Sequence, residues 1–464
     1  MQMKQAAFLE ALSRTLGVDD LLVGDAVAAR RCSDWSGAPG GLPLALVRPR
    51  NTAEVSRVLR LCTEHRVPLV PQGGLTGLAG AALPSTDAVA LSLERMNAVE
   101  ALDAAAGTMT VQAGVTLQSV QEAAAAQGLM FGVDFGARGS CQIGGALSTS
   151  AGGNGVLQFG MMREQTLGLE VVLADGRVLP MLRPMLKNNT GYDLKQFFIG
   201  AEGTLGVITR ALLRLHPAPK ARVTALVAVA QFDDALALLD RLRRYFPGML
   251  AAFELMWRDF VQTSLRWQHL REPFDTAYPL LALIDVTGGD EAGLRETLET
   301  GLDEAMEAGV ARDVTIAQSH AQARAFWTIR EATAELPLHM RPPINLDVSL
   351  PMASIGRFVD ACRAGLDARW PSHRSLFFGH VGDSNLHVTT DGQSIGGEAE
   401  VFERMVYAQV EASGGSISAE HGIGLHKKPY LSASRTPAEL ATMRAIKHAL
   451  DPLHLLNPGK ILDL

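Results

Sequence analysis

The chain has 464 residues, 47% of them hydrophobic, and a formal net charge of -7. This length predicts two or three domains with a core large enough to need no disulfide or structural metal. The negative charge and the lack of a Lys/Arg-rich run argue against nucleic acid as the main partner. Apolar stretches such as Ala225–Ala230 are too short to span a bilayer, so we expect a cytoplasmic protein that is not membrane-spanning.

Cysteine usage narrows the class of protein further. Cys32, Cys62, Cys141 and Cys362 are scattered and form no CxxC pair. Neither an iron–sulfur cluster nor a disulfide framework is therefore expected, and the four thiols are predicted to be reduced.

Glycine is concentrated in the first half of the chain, in three patches next to strand-like runs. They are Pro71–Leu78, Gly139–Gly153 and Ile199–Gly206. We expect all three on loops between strands, where backbone N–H groups can surround an anion such as a diphosphate. None has the GxGxxG spacing of a Rossmann site or the GxxxxGK spacing of a P-loop. Together the three patches indicate a long, flat cofactor lying against bare backbone.

The sequence changes character near His216–Pro219, which we take as a domain boundary. Beyond it, three strand-then-helix units are predicted, and their alternation indicates an α+β domain. The predicted strands are 222–230, 279–286 and 345–350, and the predicted helices are 232–246, 291–308 and 354–370. The expected domains are 1–217, 218–440 and a C-terminal segment, 441–464, that returns to the first domain.

Histidine and glutamate cluster near the C-terminus. His380 and His387 enclose the run Val-Gly-Asp-Ser-Asn-Leu, and the pair Glu420-His421 follows later in the chain. Two imidazoles and one carboxylate with open positions form the ligand set that is typical of a catalytic zinc site. Two histidines at this spacing are also compatible with ordinary polar residues.

The local geometry of the two histidines follows from a predicted hairpin. Residues 375–378 and 386–390 have strand character, and Gly382–Asn385 between them has turn chemistry. The expected register sets His380 opposite His387, which would bring their Cβ atoms to about 5 Å on one face.

Five motifs in a fixed order connect these observations. They are Pro71–Gly77, Gly139–Gly145, Asn189–Thr209, Gly379–His387 and Ser418–Gly424. Together they resemble the flavin-linked D-2-hydroxyacid dehydrogenases, and most closely the D-2-hydroxyglutarate dehydrogenases. The resemblance extends from about residue 48 to residue 460. It implies an α+β fold of the vanillyl-alcohol oxidase type, with a PCMH-type FAD-binding domain and an α+β C-terminal cap domain.

The resemblance also implies which residues bind FAD. The first glycine patch would be the diphosphate loop, and the other two would line the ribityl chain and the flavin ring. The loop 71–78 contains no His, Cys or Tyr, so we expect non-covalent FAD. The implied residues are Pro71, Gly73, Gly74, Thr76, Gly77, Leu78, Gly136, Ser140, Gly144, Gly145, Thr149, Ala151, Gly152, Gly153, Glu202, Gly203, Gly206, Val207, Ile208 and Asn457.

By the same resemblance, His380, His387 and Glu420 would bind zinc, and such a set also accepts manganese or cobalt. The metal would act as a Lewis acid on the α-hydroxyl of a D-2-hydroxy acid. His421 would be the catalytic general base, and the α-hydrogen would leave as hydride to flavin N5. Asn385 would orient the substrate carboxylate.

The substrate pocket departs from the pattern of that family. The 2-hydroxyglutarate enzymes hold the distal carboxylate with an Arg, a Thr four residues later and a Lys before an Asp-[Leu/Val]-Ser-Leu-Pro segment. This chain has Arg330, but Ala334 at the Thr position and Asn345 before Leu346–Pro351. The missing lysine removes a charge-assisted contact. The substrate therefore stays open between 2-hydroxyglutarate and a short acid such as D-lactate or glycolate, and Arg330 is also compatible with a helix-surface residue.

No nicotinamide fingerprint or cluster-ligating cysteine appears, so we expect an external electron acceptor, such as an electron-transfer flavoprotein or a quinone-linked carrier. Two functions outside the class stay as alternatives. One is an alkylglycerone-phosphate-synthase-like transferase, which would need several basic residues for a phosphate, and the other is a metal hydrolase with a vestigial flavin. The oligomeric state is open, with a homodimer as one candidate.

Overall fold

The structure is a computed structural model that describes residues 2–30 and 32–464. Within these residues, no helix combines the length and the apolar character needed to cross a membrane. The helices are α1 Gln2–Thr15, α2 Asp25–Ala28, α3 Thr52–His65, α4 Leu117–Ala125, α5 Ile143–Thr149, α6 Val156–Phe159, α7 Phe232–Tyr245, α8 Arg258–Trp267, α9 Glu291–Glu307, α10 His320–Glu331, α11 Leu336–His339, α12 Ile355–Arg369, α13 Ala399–Ala412 and α14 Pro437–Leu450. The strands are β1 Leu21–Leu22, β2 Ala45–Val47, β3 Leu69–Gln72, β4 Val89–Ser92, β5 Val99–Asp103, β6 Thr108–Gln112, β7 Leu129–Met130, β8 Thr166–Val172, β9 Val178–Met181, β10 Val207–Arg214, β11 His216–Pro217, β12 Ala221–Val229, β13 Leu250–Trp257, β14 Leu280–Gly288, β15 Asp313–Ile316, β16 Pro343–Ser349, β17 Ser375–Gly379 and β18 Asn385–Asp391.

The chain forms two compact units. Unit 1 contains the stretch that ends at Gly153, together with Gly160–Ala218 and Glu420–Leu464. Unit 2 contains Asn154–Phe159 and Pro219–Ala419.

Unit 1 combines a mixed sheet, in the order β1-β2-β4-β3, with an antiparallel sheet, in the order β5-β6-β10-β8-β9. Helix α3 is capped by Asn51, whose side chain accepts the backbone N–H of Glu54 and satisfies one of the open donors of the first turn. The apolar face of α3, with Val55 and Val58, is fully buried in the core of this unit. Unit 1 is therefore built from both sheets and helices, as the sequence predicts.

The C-terminal stretch of unit 1 is bonded to strand β3. The Leu69 N–H donates to Leu455 O, and the Asn457 N–H donates to Leu69 O, each at 2.8 Å. The sequence boundary at residue 440 assigned 420–440 to the second domain, whereas the contacts of that stretch group it with unit 1. One reason is that the Ile423 backbone N–H donates to the side chain of Glu202, a residue of the third glycine patch.

Unit 2 is built on one sheet in the order β15-β12-β14-β13-β17-β18-β16. The three predicted strand-then-helix units are present as β12–α7, β14–α9 and β16–α12. Strand β13 was missed. Every residue of Leu250–Trp257 is buried, so its sequence is an apolar run, interrupted only by Glu254, without the alternation that identifies a strand.

Helix α6 supports the turn between β17 and β18. A Cβ atom on Gly382 would lie 2.6 Å from Leu157 Cδ1, so the Leu157 side chain fills the space beside this glycine. Gln158 fixes the same short helix, because its Nε2 donates to Gly248 O at 3.0 Å and its Oε1 accepts from Thr287 Oγ1 at 2.9 Å. The turn between β17 and β18 therefore packs against helix α6 as well as against its own strands.

A buried ion pair holds the C-terminal stretch of unit 1, and we expect it to matter for stability. Lys447 Nζ donates to Asp451, to Thr204 O and to Leu456 O. Lys447→Met would leave the Asp451 carboxylate without its counter-ion in a buried position and should lower the free energy of unfolding by about 3–5 kcal/mol. Urea denaturation followed by circular dichroism measures this loss.

The matched control for this substitution is Lys428→Met. Lys428 pairs with Asp463, whose side chain is 82% exposed, and exposed pairs contribute at most about 1 kcal/mol. Equal losses of unfolding free energy in the two variants would contradict the assignment.

Candidate active site

The glycine patches of unit 1 lie next to its strands. Pro71 is in β3, and the loop with Gly73, Gly74, Thr76, Gly77 and Leu78 follows that strand. Gly203 and Gly206 lie in the turn before β10, and Val207 and Ile208 are buried at the start of β10.

The second patch corrects the expectation that all three patches are loops. Residues 143–149 form helix α5, which contains Gly144, Gly145 and Thr149. The helix ends at Ser150, which has the left-handed φ of 52° and is followed by Ala151 and Gly152. The loop was predicted because the segment is rich in glycine. A helix can nevertheless contain glycine where a neighbouring element packs too closely for a side chain.

Several of these glycines are required by close packing within unit 1. A Cβ atom on Gly74 would lie 1.8 Å from Ser140 O, and one on Gly153 would lie 2.0 Å from Asp134 O. A Cβ atom on Gly144 would lie 2.9 Å from Ala113 Cβ. Gly74 thus lets the first patch pack against the second, and none of the three positions gives evidence of a ligand.

Gly136 and Gly145 are different. A Cβ atom at either position would have no neighbour within 4 Å. Bare backbone next to open space, in the same region as the packed glycines, is the surface that a flat aromatic ring system needs. The residues of unit 1 therefore fit a flavin nucleotide at these positions.

Buried polar atoms support the same fit. Within the described residues, Gln142 Oε1, Asn457 Oδ1 and Asp34 Oδ2 are buried and have no hydrogen-bond partner. Buried polar atoms without a partner are costly, and a ligand with hydroxyl and N–H donors would satisfy them. A Cβ atom on Gly77 would lie 3.7 Å from Asp34 Oδ2, so this carboxylate lies beside the first patch. Asp34 was missed in the sequence, where it stands alone before Trp35.

Glu202 and Asn457 connect the patches with the C-terminal stretch. The two carboxylate oxygens of Glu202 accept the backbone N–H groups of Ile423 and Gly424 at 2.7 and 2.8 Å. Asn457 Nδ2 donates to Glu202 O at 2.6 Å and to Ala81 O at 2.9 Å. Burial raises the pKa of Glu202 to about 7, although the two N–H donors lower it. Both residues therefore have structural contacts in addition to any role in binding FAD.

Glu420 and His421 belong to the same stretch of unit 1, and both are half-buried. They are followed by Gly422 and Gly424, which have φ values of 80° and 52°. These left-handed conformations bend the backbone directly after the pair.

The two histidines of unit 2 are close together, but the predicted register is wrong. Phe378, not His380, pairs with His387 across β17 and β18. The strand ends at Gly379, where a Cβ atom would lie 2.5 Å from Asn385 O, and His380 then leads into a 3₁₀ turn. The ring centroids of His380 and His387 are nevertheless 5.6 Å apart, and a nitrogen of each ring lies within 4.8 Å of the other.

Sequence reasoning missed a buried carboxylate beside these histidines. Glu254 on β13 is 1% exposed. Its Oε1 lies 2.5 Å from His380 Nδ1, and its Oε2 accepts from Arg330 Nε at 2.7 Å. Burial alone would raise the pKa of Glu254, but the contacts with His380 and Arg330 outweigh burial and lower it. Its only sequence signal is a single charge inside the apolar run Leu250–Trp257.

Arg330 is consequently not the helix-surface residue that the sequence left open. It lies on α10, is 7% exposed and has its guanidinium carbon 4.9 Å from the Phe378 ring centroid. Ala334 is exposed, and Asn345 on β16 accepts a hydrogen bond from Thr389 Oγ1 at 3.0 Å. Asn345 therefore contributes no positive charge.

Asp347 is a second acidic residue that was not predicted. It pairs with His387 across β16 and β18, and one of its carboxylate oxygens lies within 4.8 Å of a His387 ring nitrogen. Its Oδ2 accepts the Ala419 backbone N–H at 3.2 Å. Asp347 thus fixes the chain immediately before Glu420.

Asn385 begins β18 and is 6% exposed. Its Oδ1 is buried and, among the residues described, has no hydrogen-bond partner. A buried amide with an unsatisfied end fits a role in binding a ligand.

Comparisons with known proteins identify the family of the chain. Residues 218–461 match the family model "FAD linked oxidases, C-terminal domain", and residues 43–181 match "FAD binding domain". The chain is 37% identical over 436 residues to the D-2-hydroxyglutarate dehydrogenase of Xanthomonas citri pv. viticola, covering 93% of this chain and 91% of that protein. It is 34% identical over 434 residues to the enzyme of the same name from Stutzerimonas stutzeri, covering 92% and 93%.

Solved structures show the same fold at low identity. A structure of alkyldihydroxyacetonephosphate synthase superimposes with a TM-score of 0.76 at 18% identity, covering 98% of this chain and 84% of that one. A p-cresol methylhydroxylase with bound substrate gives a TM-score of 0.75 at 17% identity, covering 99% and 97%. At these identities the likeness supports the fold and no particular reaction.

The fold and the family matches define an FAD-dependent oxidoreductase of the FAD-linked oxidase class. Within that class the chain belongs to the flavin-linked D-2-hydroxyacid dehydrogenase family. The predicted fold class, an α+β PCMH-type FAD domain with an α+β C-terminal domain, is confirmed.

Gly145 allows a test of the flavin surface. A Cβ atom at this position would have no neighbour within 4 Å in the protein, and the side chain of a valine would occupy the space expected for FAD. We expect Gly145→Val to weaken FAD binding by about 1.4–2.8 kcal/mol, roughly 10- to 100-fold. The measurement is titration of apoprotein with FAD, followed by flavin fluorescence.

The control is Gly289→Val in unit 2, another glycine with no neighbour within 4 Å. It should bind FAD as the parent protein does. Thermal unfolding of both apoproteins verifies that they are folded, and equal FAD affinity in the two variants would remove Gly145 from the flavin surface.

Proposed function

We propose that this protein oxidises a D-2-hydroxy acid to the corresponding 2-oxo acid in a reaction that depends on both FAD and a divalent metal. The observation that carries the metal dependence is the His380–His387 pair, with Nδ1 of His380 at 2.5 Å from a buried carboxylate. A carboxylate on the far nitrogen is the usual partner of a metal-binding histidine. Family membership supports the FAD dependence.

His380, His387 and Glu420 are the proposed metal ligands. Two imidazoles and a carboxylate suit zinc and leave positions for substrate, and manganese or cobalt is also compatible with this set. When bound, the metal would supply Lewis-acid activation of the substrate hydroxyl. The Asp347 bond to the Ala419 N–H supports the choice of Glu420, because Glu420 is the next residue in the chain.

His421 is the proposed general base and takes the α-hydroxyl proton. FAD, when bound, would supply the hydride acceptor at N5. The substrate thus loses one proton and one hydride, which balances the change from alcohol to ketone. The buried amide of Asn385 would hold the substrate carboxylate by hydrogen bonding.

Two kinds of 2-hydroxy acid are candidates for the substrate: a dicarboxylic acid and a short monocarboxylic acid. The names of the relatives favour 2-hydroxyglutarate. A short acid such as D-lactate or glycolate is favoured by a specific observation, namely that the charge of Arg330 is compensated by Glu254 and that Asn345 is neutral. In either case an external carrier, such as an electron-transfer flavoprotein or a quinone-linked protein, is the proposed acceptor.

The central experiment is anaerobic flavin bleaching with a panel of D- and L-2-hydroxy acids, before and after treatment with a chelator. We expect D-acids to bleach the flavin faster than their L-enantiomers, and chelation to slow bleaching by at least about 100-fold, with recovery on addition of zinc. Among D-2-hydroxyglutarate, D-lactate and glycolate, the acid that bleaches the flavin fastest identifies the preferred kind of substrate. Unchanged bleaching after metal removal would refute the metal role.

A second test concerns the base. His421→Ala should lower the rate of flavin bleaching by about 10²–10⁴-fold, because the hydroxyl proton loses its acceptor. His426→Ala is the matched control, since His426 is an exposed histidine of the same stretch, and it should bleach at the parental rate. Equal rates in the parent and in His421→Ala would show that another group takes the proton.

A further inference from the structure

Three residues of unit 2 form a buried chain of polar contacts: Glu254 on β13, Arg330 on α10 and His380 just after β17. Glu254 accepts from Arg330 through Oε2 and contacts His380 through Oε1. The Glu254 and Arg330 side chains are only 1% and 8% exposed. Because this carboxylate is buried, its two contacts are its main compensation for lost hydration.

The contacts determine which nitrogen of His380 carries a proton. A guanidinium can only donate, so His380 Nε2, at 3.4 Å from Arg330 Nη2, faces a donor and has to present its lone pair. Glu254 is acceptor-only when ionised, so Nδ1 has to carry the proton on the other side. Both neighbours therefore select the neutral tautomer with hydrogen on Nδ1.

We propose that Glu254 is a positioning residue that fixes the orientation and the Nδ1–H tautomer of His380, so that Nε2 is presented as a metal ligand. The proposal rests on the metal-dependent reaction proposed above. A ligand histidine is held in this way when its second nitrogen donates to a carboxylate, and loss of such a carboxylate typically weakens metal binding by about 10- to 100-fold. The Arg330 contact to Nε2 is long for a hydrogen bond, so it engages the lone pair weakly.

Glu254 also has a second function in the same arrangement. Arg330 is buried and lies against the Phe378 ring. Without a carboxylate beside it, its positive charge would disfavour a cation bound at the nearby imidazole. Glu254 thus both directs the imidazole and compensates the nearest cationic side chain.

The experiment compares zinc binding by the full chain carrying FAD, after metal removal, in the parent, Glu254→Gln and His387→Ala. The glutamine keeps the size of the side chain and removes its charge. We expect the zinc dissociation constant of Glu254→Gln to rise about 10- to 100-fold. Isothermal titration calorimetry with zinc alone measures this constant without reference to activity.

The experiment includes a control variant and a second variant for the case that Glu254→Gln does not fold. Asp285→Asn removes another acid that is 1% exposed in the same sheet and has Thr224 and Trp327 as partners, and it should retain parental zinc affinity. If the lone Arg330 charge prevents Glu254→Gln from folding, the double variant Glu254→Gln with Arg330→Met removes both charges together. It should still bind zinc more weakly than the parent, because the carboxylate that orients His380 is absent, although the repulsion from Arg330 has been removed as well.

A spectroscopic readout tests the tautomer directly in metal-free protein. Nitrogen-15 NMR of labelled histidines, with the His380 signal assigned by its absence from His380→Ala, should show Nδ1–H in the parent and a mixture of tautomers in Glu254→Gln. Parental zinc affinity and an unchanged tautomer in Glu254→Gln, with weakened binding in His387→Ala, would overturn the positioning role alone. Equal zinc affinity in the parent, Glu254→Gln and His387→Ala would instead overturn the proposed metal site.

Discussion

Buried carboxylates determine where the functional segments of both units lie. A carboxylate removed from water has to be compensated by donors, so each buried acid fixes the backbone or side chain that supplies them. In unit 1, Glu202 binds the N–H groups at 423 and 424, directly after the proposed ligand and base. In unit 2, Glu254 binds His380, and Asp347 binds the Ala419 N–H. The same physical requirement therefore operates on the chain before and after the pair Glu420-His421.

The sequence predicts local features of this arrangement better than distant ones. The strand-then-helix units of unit 2 are recognisable because each pairs a short apolar run with an amphipathic stretch. The proximity of His380 and His387 also follows from sequence, although their register does not. The register depends on the close approach of Gly379 to Asn385 O, which is a backbone contact that side-chain pattern does not encode.

Glu254 illustrates why the rest of the site was not predictable. It is separated by 126 residues from His380 and by 76 from Arg330, so no spacing rule connects the three. Its strand is apolar on both faces, and a single acid there is informative only once its partners are known. Asp347 belongs to a segment that was recognised from the family pattern, but its position opposite His387 required the pairing of β16 with β18.

Glycine content gives a similar lesson about unit 1. The sequence treats the glycines expected to bind FAD alike, yet the structure divides them into two groups. Gly74 and Gly153 allow one loop to pack on another, whereas Gly136 and Gly145 border open space. Only the second group argues for a ligand, and the buried oxygens of Gln142 and Asn457 in the same unit strengthen that argument.

Charge balance in unit 2 bears on substrate choice in a way that sequence comparison alone does not reveal. Arg330 matches the arginine expected for a distal carboxylate, but its charge is already compensated by Glu254. A guanidinium has five N–H donors, of which Glu254 engages the one on Nε. Arg330 therefore retains donors for hydrogen bonding while it offers little net Coulomb attraction. With a neutral Asn345 in place of the family's lysine, the second carboxylate of a dicarboxylic acid would gain hydrogen bonds rather than an ion pair, which reduces the advantage of such an acid over a short one.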